Sequence, residues 1–226
     1  MNSRHTIITI DGPAGAGKTT LARALAEQLN MAYLDTGAMY RAAAWMLGPA
    51  ALQLQENELG ARLNSMRFRL EGPGKNSRLL LDDKMIGDQV RTEETGLLAS
   101  TLARLAVVRT FMKKAQQQMG RETSLVAEGR DMGSVVFPEA DYKFYLLADP
   151  VIRAERRYRQ LKEMGCEMDT RHILEQMRLR DEQDQNRTIA PLRPANDAVH
   201  IDTGGLTPEQ VLKKMTAIIS LQRLTP

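Results

Sequence analysis

An apolar run, Ile7-Ile8-Thr9-Ile10, gives way at Asp11 to Gly12-Pro13-Ala14-Gly15-Ala16-Gly17-Lys18-Thr19, the spacing G-x-x-x-x-G-K-T. This reads as a buried strand, a glycine-rich loop and the start of a helix. Glycines let successive backbone N–H groups curl around an anion, and a helix opening near Lys18 turns its positive end to the same point. The chemistry that needs this arrangement is triphosphate binding. Lys18 reaches the β- and γ-phosphates as a point charge, and the Thr19 hydroxyl is placed for the magnesium ion that bridges them.

Further chemistry-bearing residues gather where other apolar runs end. Met31-Ala32-Tyr33-Leu34 runs into Asp35-Thr36-Gly37-Ala38-Met39-Tyr40-Arg41, read as a turn with Arg41 just inside a new helix. Ser124-Leu125-Val126-Ala127 runs into Glu128-Gly129-Arg130-Asp131, and two acids, an arginine and a glycine at a buried strand's carboxyl end have no packing explanation. Strand ends of this kind are where open α/β sheets bind ligands. A helix opening at Asp149-Pro150 carries Arg153, Arg156, Arg157 and Arg159, dense enough to clamp a transferred phosphoryl group, although an exposed basic face accounts for about half of such arginines. A following helix from about Thr170 places Ile173, Met177, Arg180, Asp184 and Arg187 at spacings of three or four, a face that turns from apolar to charged. Ser100 and Arg109 stand among small and apolar residues, where the residues alone favour a solvated helix face.

The elements that must position these residues are strands alternating with helices, which implies a parallel sheet with helices on both faces. Strands are expected at 7–10, 31–34, 124–127, 142–148 and 198–202. Helices are expected at 18–29, after Asp35, over 93–118 as two pieces meeting near Leu105-Ala106, after Pro150, from about 170, and from Thr207-Pro208 onward. Between Gly48-Pro49 and about Thr92 the pattern alternates instead, with turns at Gly72-Pro73-Gly74 and Asp82-Asp83-Lys84, which predicts short antiparallel strands in an inserted subdomain. Gly165 ends the helix after Pro150, and the polar turn beyond it is a candidate lid.

With 226 residues, 42% hydrophobic and 26% charged, the chain has the composition of a single globular core with an insertion. A net charge of +3 is too mild for a nucleic-acid platform. One cysteine, Cys166 in a polar stretch, excludes an internal disulfide framework, and it reads as a tolerated thiol. His5, His172 and His200 lack partners at metal spacing. No run approaches the ~20 apolar residues of a membrane span and no signal peptide precedes the first strand, so the expected address is the cytoplasm.

Four of these stretches, 11–18, 35–41, Glu128-Gly129-Arg130-Asp131-Met132-Gly133 and Arg180-Asp181-x-x-Asp184-x-x-Arg187, together resemble the signature set of bacterial cytidylate (CMP) kinases in order and spacing. Arg91-Thr92 and the 100–109 stretch are similar too, so the likeness covers nearly the whole chain. The resemblance implies a P-loop three-layer α/β fold with a five-stranded parallel sheet in the order 2-3-1-4-5. It also implies an antiparallel NMP-binding insertion at about 48–92 within a core of 1–47 and 93–226, and a short helical lid at about 153–170. It implies phosphoryl transfer from Mg-ATP to CMP or dCMP by a monomer, with no nucleic-acid or membrane partner. ATP would be held by Gly12, Pro13, Ala14, Gly15, Ala16, Gly17, Lys18, Thr19 and Thr20, with Thr19 on Mg²⁺. Arg41, Arg130 and Arg187 would take the phosphate of CMP, Ser100, Arg109 and Asp131 the cytosine ring, and Arg180 and Asp184 the sugar. Thr36 would also line the CMP site.

Lys18, Arg130, Arg153 and Arg157 would act on the transferred phosphoryl, and Glu128 would orient a magnesium-bound water. The chain departs from the family in lacking a proline near Leu105-Ala106-Val107, and in carrying Gln185 where a basic residue is frequent. The rival readings are another small P-loop kinase, acting on UMP, AMP or shikimate, and a regulatory P-loop ATPase. No Asn-Lys-x-Asp guanine-reading motif is present.

Overall fold

The computed structural model describes residues 5–163, 165 and 168–224. Strand β1 (Ile7–Asp11) is buried throughout and passes through the glycine-rich loop into α1 (Lys18–Gln28), whose Leu21, Ala22, Leu25 and Ala26 are enclosed. The helix gives way at Asn30, which takes a left-handed φ of 51°. Strand β2 (Ala32–Asp35) leads directly into α2 (Thr36–Leu47), because the Asp35 carboxylate accepts the Ala38 N–H at 2.8 Å and caps the helix. No turn separates the two, and Arg41 lies in the second helical turn rather than just inside the start.

The 48–92 stretch, expected to alternate throughout, opens with a 3-10 turn (Pro49–Gln53) and a helix, α3 (Glu56–Asn64). Gln55 and Glu58 cap α3 reciprocally, and Leu59 and Leu63, one helical turn apart, are its buried face. The expected antiparallel strands follow: β3 (Phe68–Glu71), β4 (Arg78–Leu81) and β5 (Lys84–Met85) form one sheet. Ala42, Leu81 and Val90, with Met66, Phe68 and Ile86 around them, pack this sheet onto α2.

Thr92 caps α4 (Glu93–Leu102), and α5 (Ala106–Glu122) starts after a break made without proline. Then come β6 (Leu125–Gly129), a π-helical turn (Met132–Val136), β7 (Tyr142–Leu147), α6 (Pro150–Glu163), α7 (Thr170–Gln185), β8 (Val199–Asp202) and α8 (Pro208–Leu224). Cys166, read as a tolerated thiol, lies outside the described residues.

The parallel sheet has the order β2-β6-β1-β7-β8, flanked by helices. Counting its strands alone, this is the expected 2-3-1-4-5. Two compact units share the chain, one of residues up to Ile7 with Ala26–Glu128, the other of Ile8–Leu25 with Gly129 onward. In the first unit Asp35 and Glu128 are register partners at the carboxyl ends of β2 and β6. In the second, Asp11 stands beside Tyr145 of β7, and Tyr145 beside His200 of β8. Each unit thus ends its strands in polar side chains at one level.

Candidate functional site

In the second unit the loop after β1 is shaped by glycines that admit no side chain. Gly12 has a φ of 146°, and a Cβ there would overlap the Leu146 carbonyl oxygen. At Gly15, φ 74°, a Cβ would lie 2.8 Å from the Met177 Cε and 3.1 Å from the Arg153 carbonyl oxygen. The loop therefore packs its backbone directly on β7 and α6. Lys18 is buried and donates from Nζ to the Pro13 carbonyl at 2.6 Å, which arches its side chain over the loop. Thr19 and Thr20 are exposed at the start of α1.

Helix α6 holds the loop from outside. Arg153, buried, donates from Nε to the Ala148 carbonyl at 2.9 Å and from Nη1 to the Ala14 carbonyl at 3.0 Å and Asp181 at 2.6 Å. Arg156 donates to the hydroxyl and carbonyl of Thr203 at 2.9 and 2.5 Å, and that hydroxyl lies 3.2 Å from the Ala16 carbonyl oxygen. Backbone N–H groups that converge on an anion leave their carbonyls pointing outward, and these are the carbonyls that Arg153 and Thr203 engage. Arg157 and Arg159 are exposed.

The buried face of α7 runs through Ile173, Met177, Asp181 and Asp184, while Arg180, expected on this stripe, is exposed. Asp184, 1% exposed, receives Arg130 Nε on Oδ2 at 2.7 Å and Arg187 Nη2 on Oδ1. Burial alone would raise its carboxyl, but the two guanidiniums outweigh burial and hold it below the usual carboxylate range. One carboxylate between two arginines leaves a net positive group.

Asp11 is equally buried, and its oxygens accept the N–H groups of Met132 at 2.9 Å and Gly133 at 2.8 Å. Burial pushes its carboxyl up to about 6; the two amides pull the other way, Asp131 adds repulsion, and Lys18 relieves some of it.

The first unit supplies the remaining candidates. Thr36 donates its hydroxyl to the Glu128 carbonyl at 2.6 Å, and Tyr33 donates to the Glu128 carboxylate at 2.5 Å. Arg41 lies across α2 and α4 where two glycines make room: a Cβ on Gly37 would stand 3.4 Å from its Nη1, and one on Gly96 would stand 3.9 Å from its Nε. Ser100 is half-buried on α4, and Arg109 is buried on α5 with Nη1 3.5 Å from the Ala103 carbonyl oxygen. Thr36, Arg41, Ser100 and Arg109 thus belong to one unit. The glycine-rich loop, Arg130, Asp131, Arg153, Arg157, Arg180, Asp184 and Arg187 belong to the other.

Sequence reasoning passed over Tyr33, Asp181, Lys143, the Arg156 and Thr203 pair, and the grip of Asp11 on the π-helical turn. The signal for Lys143 was a charged residue inside an otherwise apolar strand, and for Asp11 a carboxylate closing one. For Asp181 it was the helical spacing from Ile173 and Met177, which fits Asp181 as well as Arg180.

A sequence profile of the cytidylate kinase family, described as "Cytidylate kinase", matches residues 8–221. A cytidylate kinase of Oleidesulfovibrio alaskensis is 54% identical over 201 residues, 89% of this chain and 92% of the relative. One from Lawsonia intracellularis is 46% identical over 222 residues, covering 98% and 99%. A solved structure of the protein TT1252 from Thermus thermophilus superposes with a TM-score of 0.50 at 17% identity, covering 99% of this chain and 100% of that one, a likeness of fold. With the family profile matching nearly its whole length and relatives at these identities, this chain belongs to the cytidylate kinase family.

Proposed function

We propose that this chain transfers the γ-phosphoryl group of ATP to CMP and dCMP, giving ADP with CDP or dCDP. The observation that carries the reading, beside family membership, is the buried Asp184 gripped by Arg130 and Arg187 in the same unit as the glycine-rich loop. A protein that only hydrolyses or senses a triphosphate has no need of a second net-positive group, whereas a kinase with an anionic acceptor does.

The reaction asks for no general base. A phosphate monoester has its second pKa near ~6 and is already largely dianionic at neutral pH, so the attacking oxygen needs alignment rather than deprotonation. Lys18 and Arg157 neutralise charge on the transferred phosphoryl, and Arg153, tied to the Ala14 carbonyl, acts there through the shape of the loop. Arg41, Arg130 and Arg187 take the CMP phosphate. Asp184 and Arg180 take the sugar, with Asp184 also holding the two arginines. Asp131 accepts the amino group of cytosine, and Arg109 and Ser100 serve its acceptors. Uracil reverses that edge and would leave buried groups unpaired, at about 1–3 kcal/mol each.

Among the described residues no three His, Cys, Asp or Glu side chains gather to hold a metal ion. A magnesium ion carried on phosphates needs no such cage, and Thr19 at the exposed helix start has the hydroxyl that would suit it. That ion supplies charge neutralisation when bound. Glu128, held by Tyr33, would orient the water shell of that ion. Among the described residues no helix is long and apolar enough to cross a membrane. The reading places a monomeric enzyme in the cytoplasm with its nucleotides; the polar turn expected as a lid falls largely on residues 164, 166 and 167, outside the described residues.

The test is ADP release from Mg-ATP with CMP, dCMP, UMP, AMP or no acceptor in parallel. Strong release with CMP and dCMP, weak release with UMP and none without acceptor is expected. Release that ignores the acceptor would favour the ATPase reading instead.

A further inference from the structure

Strand alternation puts Thr9 and Asp11 of β1 on one face of the sheet. Lys143 and Tyr145 of β7 are their register partners, so four polar side chains share a face whose opposite side is Ile8, Ile10 and Phe144. All four carry a polar end and are at most 9% exposed, which packing alone does not ask for.

What covers Thr9, Asp11 and Lys143 is the segment from Asp131 to Pro138. Asp11 accepts the N–H groups of Met132 and Gly133 at its start. The Lys143 ammonium donates to the Pro138 carbonyl at its end, braced by Asp197 at 2.7 Å. An anion at the N-terminal amides and a cation at the far carbonyl match the direction of the turn's own dipole. Between these two points Gly133 lies flat on the sheet: a Cβ there would stand 2.8 Å from the Thr9 Oγ1 and 3.3 Å from the Lys143 Cδ.

The consequence falls on Asp131. The peptide joining it to Met132 is held on both sides, its N–H by Asp11 and its carbonyl by the N–H groups of Val135 and Val136 at 2.9 and 3.1 Å. With that peptide plane held and the Asp131 backbone at φ −141° and ψ 23°, the Cα–Cβ bond of Asp131 has a set direction. A π-helical turn lets one carbonyl collect both donors.

We propose that Asp11 and Lys143 are positioning residues that clamp the 131–138 turn to the sheet and thereby aim Asp131 at the acceptor base, making them determinants of the choice between CMP and UMP. This rests on the reading of Asp131 as the cytosine contact. It gives Asp11 a role separate from the phosphate loop that it precedes.

The experiment compares kcat/KM for CMP and for UMP, and KM for ATP, in the full-length wild type and in Asp11→Asn, Gly133→Ala and Asp131→Ala. Asp11→Asn removes one acceptor from beneath the turn. Gly133→Ala lifts the turn with a methyl group and leaves every charged side chain in place, so it carries the test if Asp11→Asn folds poorly. The expected result is a loss of CMP over UMP preference of about tenfold in both, with KM for ATP in Gly133→Ala unchanged. Asp131→Ala should lose the preference further. An intact preference in Asp11→Asn and Gly133→Ala beside a collapsed one in Asp131→Ala overturns the clamp. An intact preference in Asp131→Ala overturns the cytosine reading itself, and the clamp's purpose with it.

Discussion

Two aspartates of the second unit, Asp11 and Asp184, are both almost fully enclosed, and their carboxyls are shifted in opposite directions. Asp184 faces two guanidiniums and is held below the ordinary range; Asp11 faces two backbone amides and rises to about 6. Desolvation acts on both. At Asp11 the two amides, opposed by the charge of Asp131, do not repay it, whereas at Asp184 the guanidiniums do. The difference separates two ways of building a site: Asp184 gathers cations that meet an anion, and Asp11 holds backbone in place at a standing cost.

The largest expected effect is at Asp184. Asp184→Ala leaves Arg130 and Arg187 facing each other with side chains only 18% and 11% exposed, and should destabilise the fold by about 3–5 kcal/mol, read as a fall in melting temperature. A loss under about 1 kcal/mol would mean that water already screens the trio, and the contrast with Asp11 would fail.

The pH dependence sharpens the same contrast. A raised carboxyl makes the folded chain bind more protons than the unfolded one, so the contribution of Asp11 is complete below 3.8 and lost as pH rises through about 6. The window is worth about 3 kcal/mol at ~1.4 kcal/mol per unit. Asp184 runs the other way, stabilising at neutral pH and losing that contribution as pH falls below its ordinary value. Denaturant unfolding across pH 3 to 8 should therefore show Asp11→Asn flattening the fall between about pH 4 and 6, with Asp184→Asn flattening the acid limb. Curves that coincide with the wild type in both variants would contradict the assignment.

Smaller again is Tyr33→Phe, which removes the hydroxyl from Glu128, a third buried carboxylate. A loss of about 1–3 kcal/mol in urea unfolding is expected, because Glu128 is 5% exposed. At the bottom of the scale, Lys75→Ala breaks an exposed pair with Glu27 and should leave the melting temperature where it was.

The readable parts of this molecule are those made by repetition or by backbone. The glycine loop, the five-strand order and the Leu and Ala face of α1 follow from spacing, and the structure has them where expected. Helix α3 was hidden because Pro49, Gly72 and Pro73 punctuate its neighbourhood, although Leu59 and Leu63 carried the helical period. The arginines of α6 were visible as a cluster, but not their division: Arg153 and Arg156 bind carbonyls around the loop while Arg157 is exposed, and only the angle of α6 against the loop decides that. Asp181 was passed over for Arg180 because one residue of phase on a helix cannot be read from a stripe that becomes charged on all sides.

Phosphoryl transfer to the acceptor itself is the central claim, and phosphorus NMR of the enzyme with Mg-ATP and CMP follows it directly. The account predicts that resonances of ADP and CDP grow one for one while inorganic phosphate stays at its starting level. ADP appearing with inorganic phosphate beside unchanged CMP would contradict it.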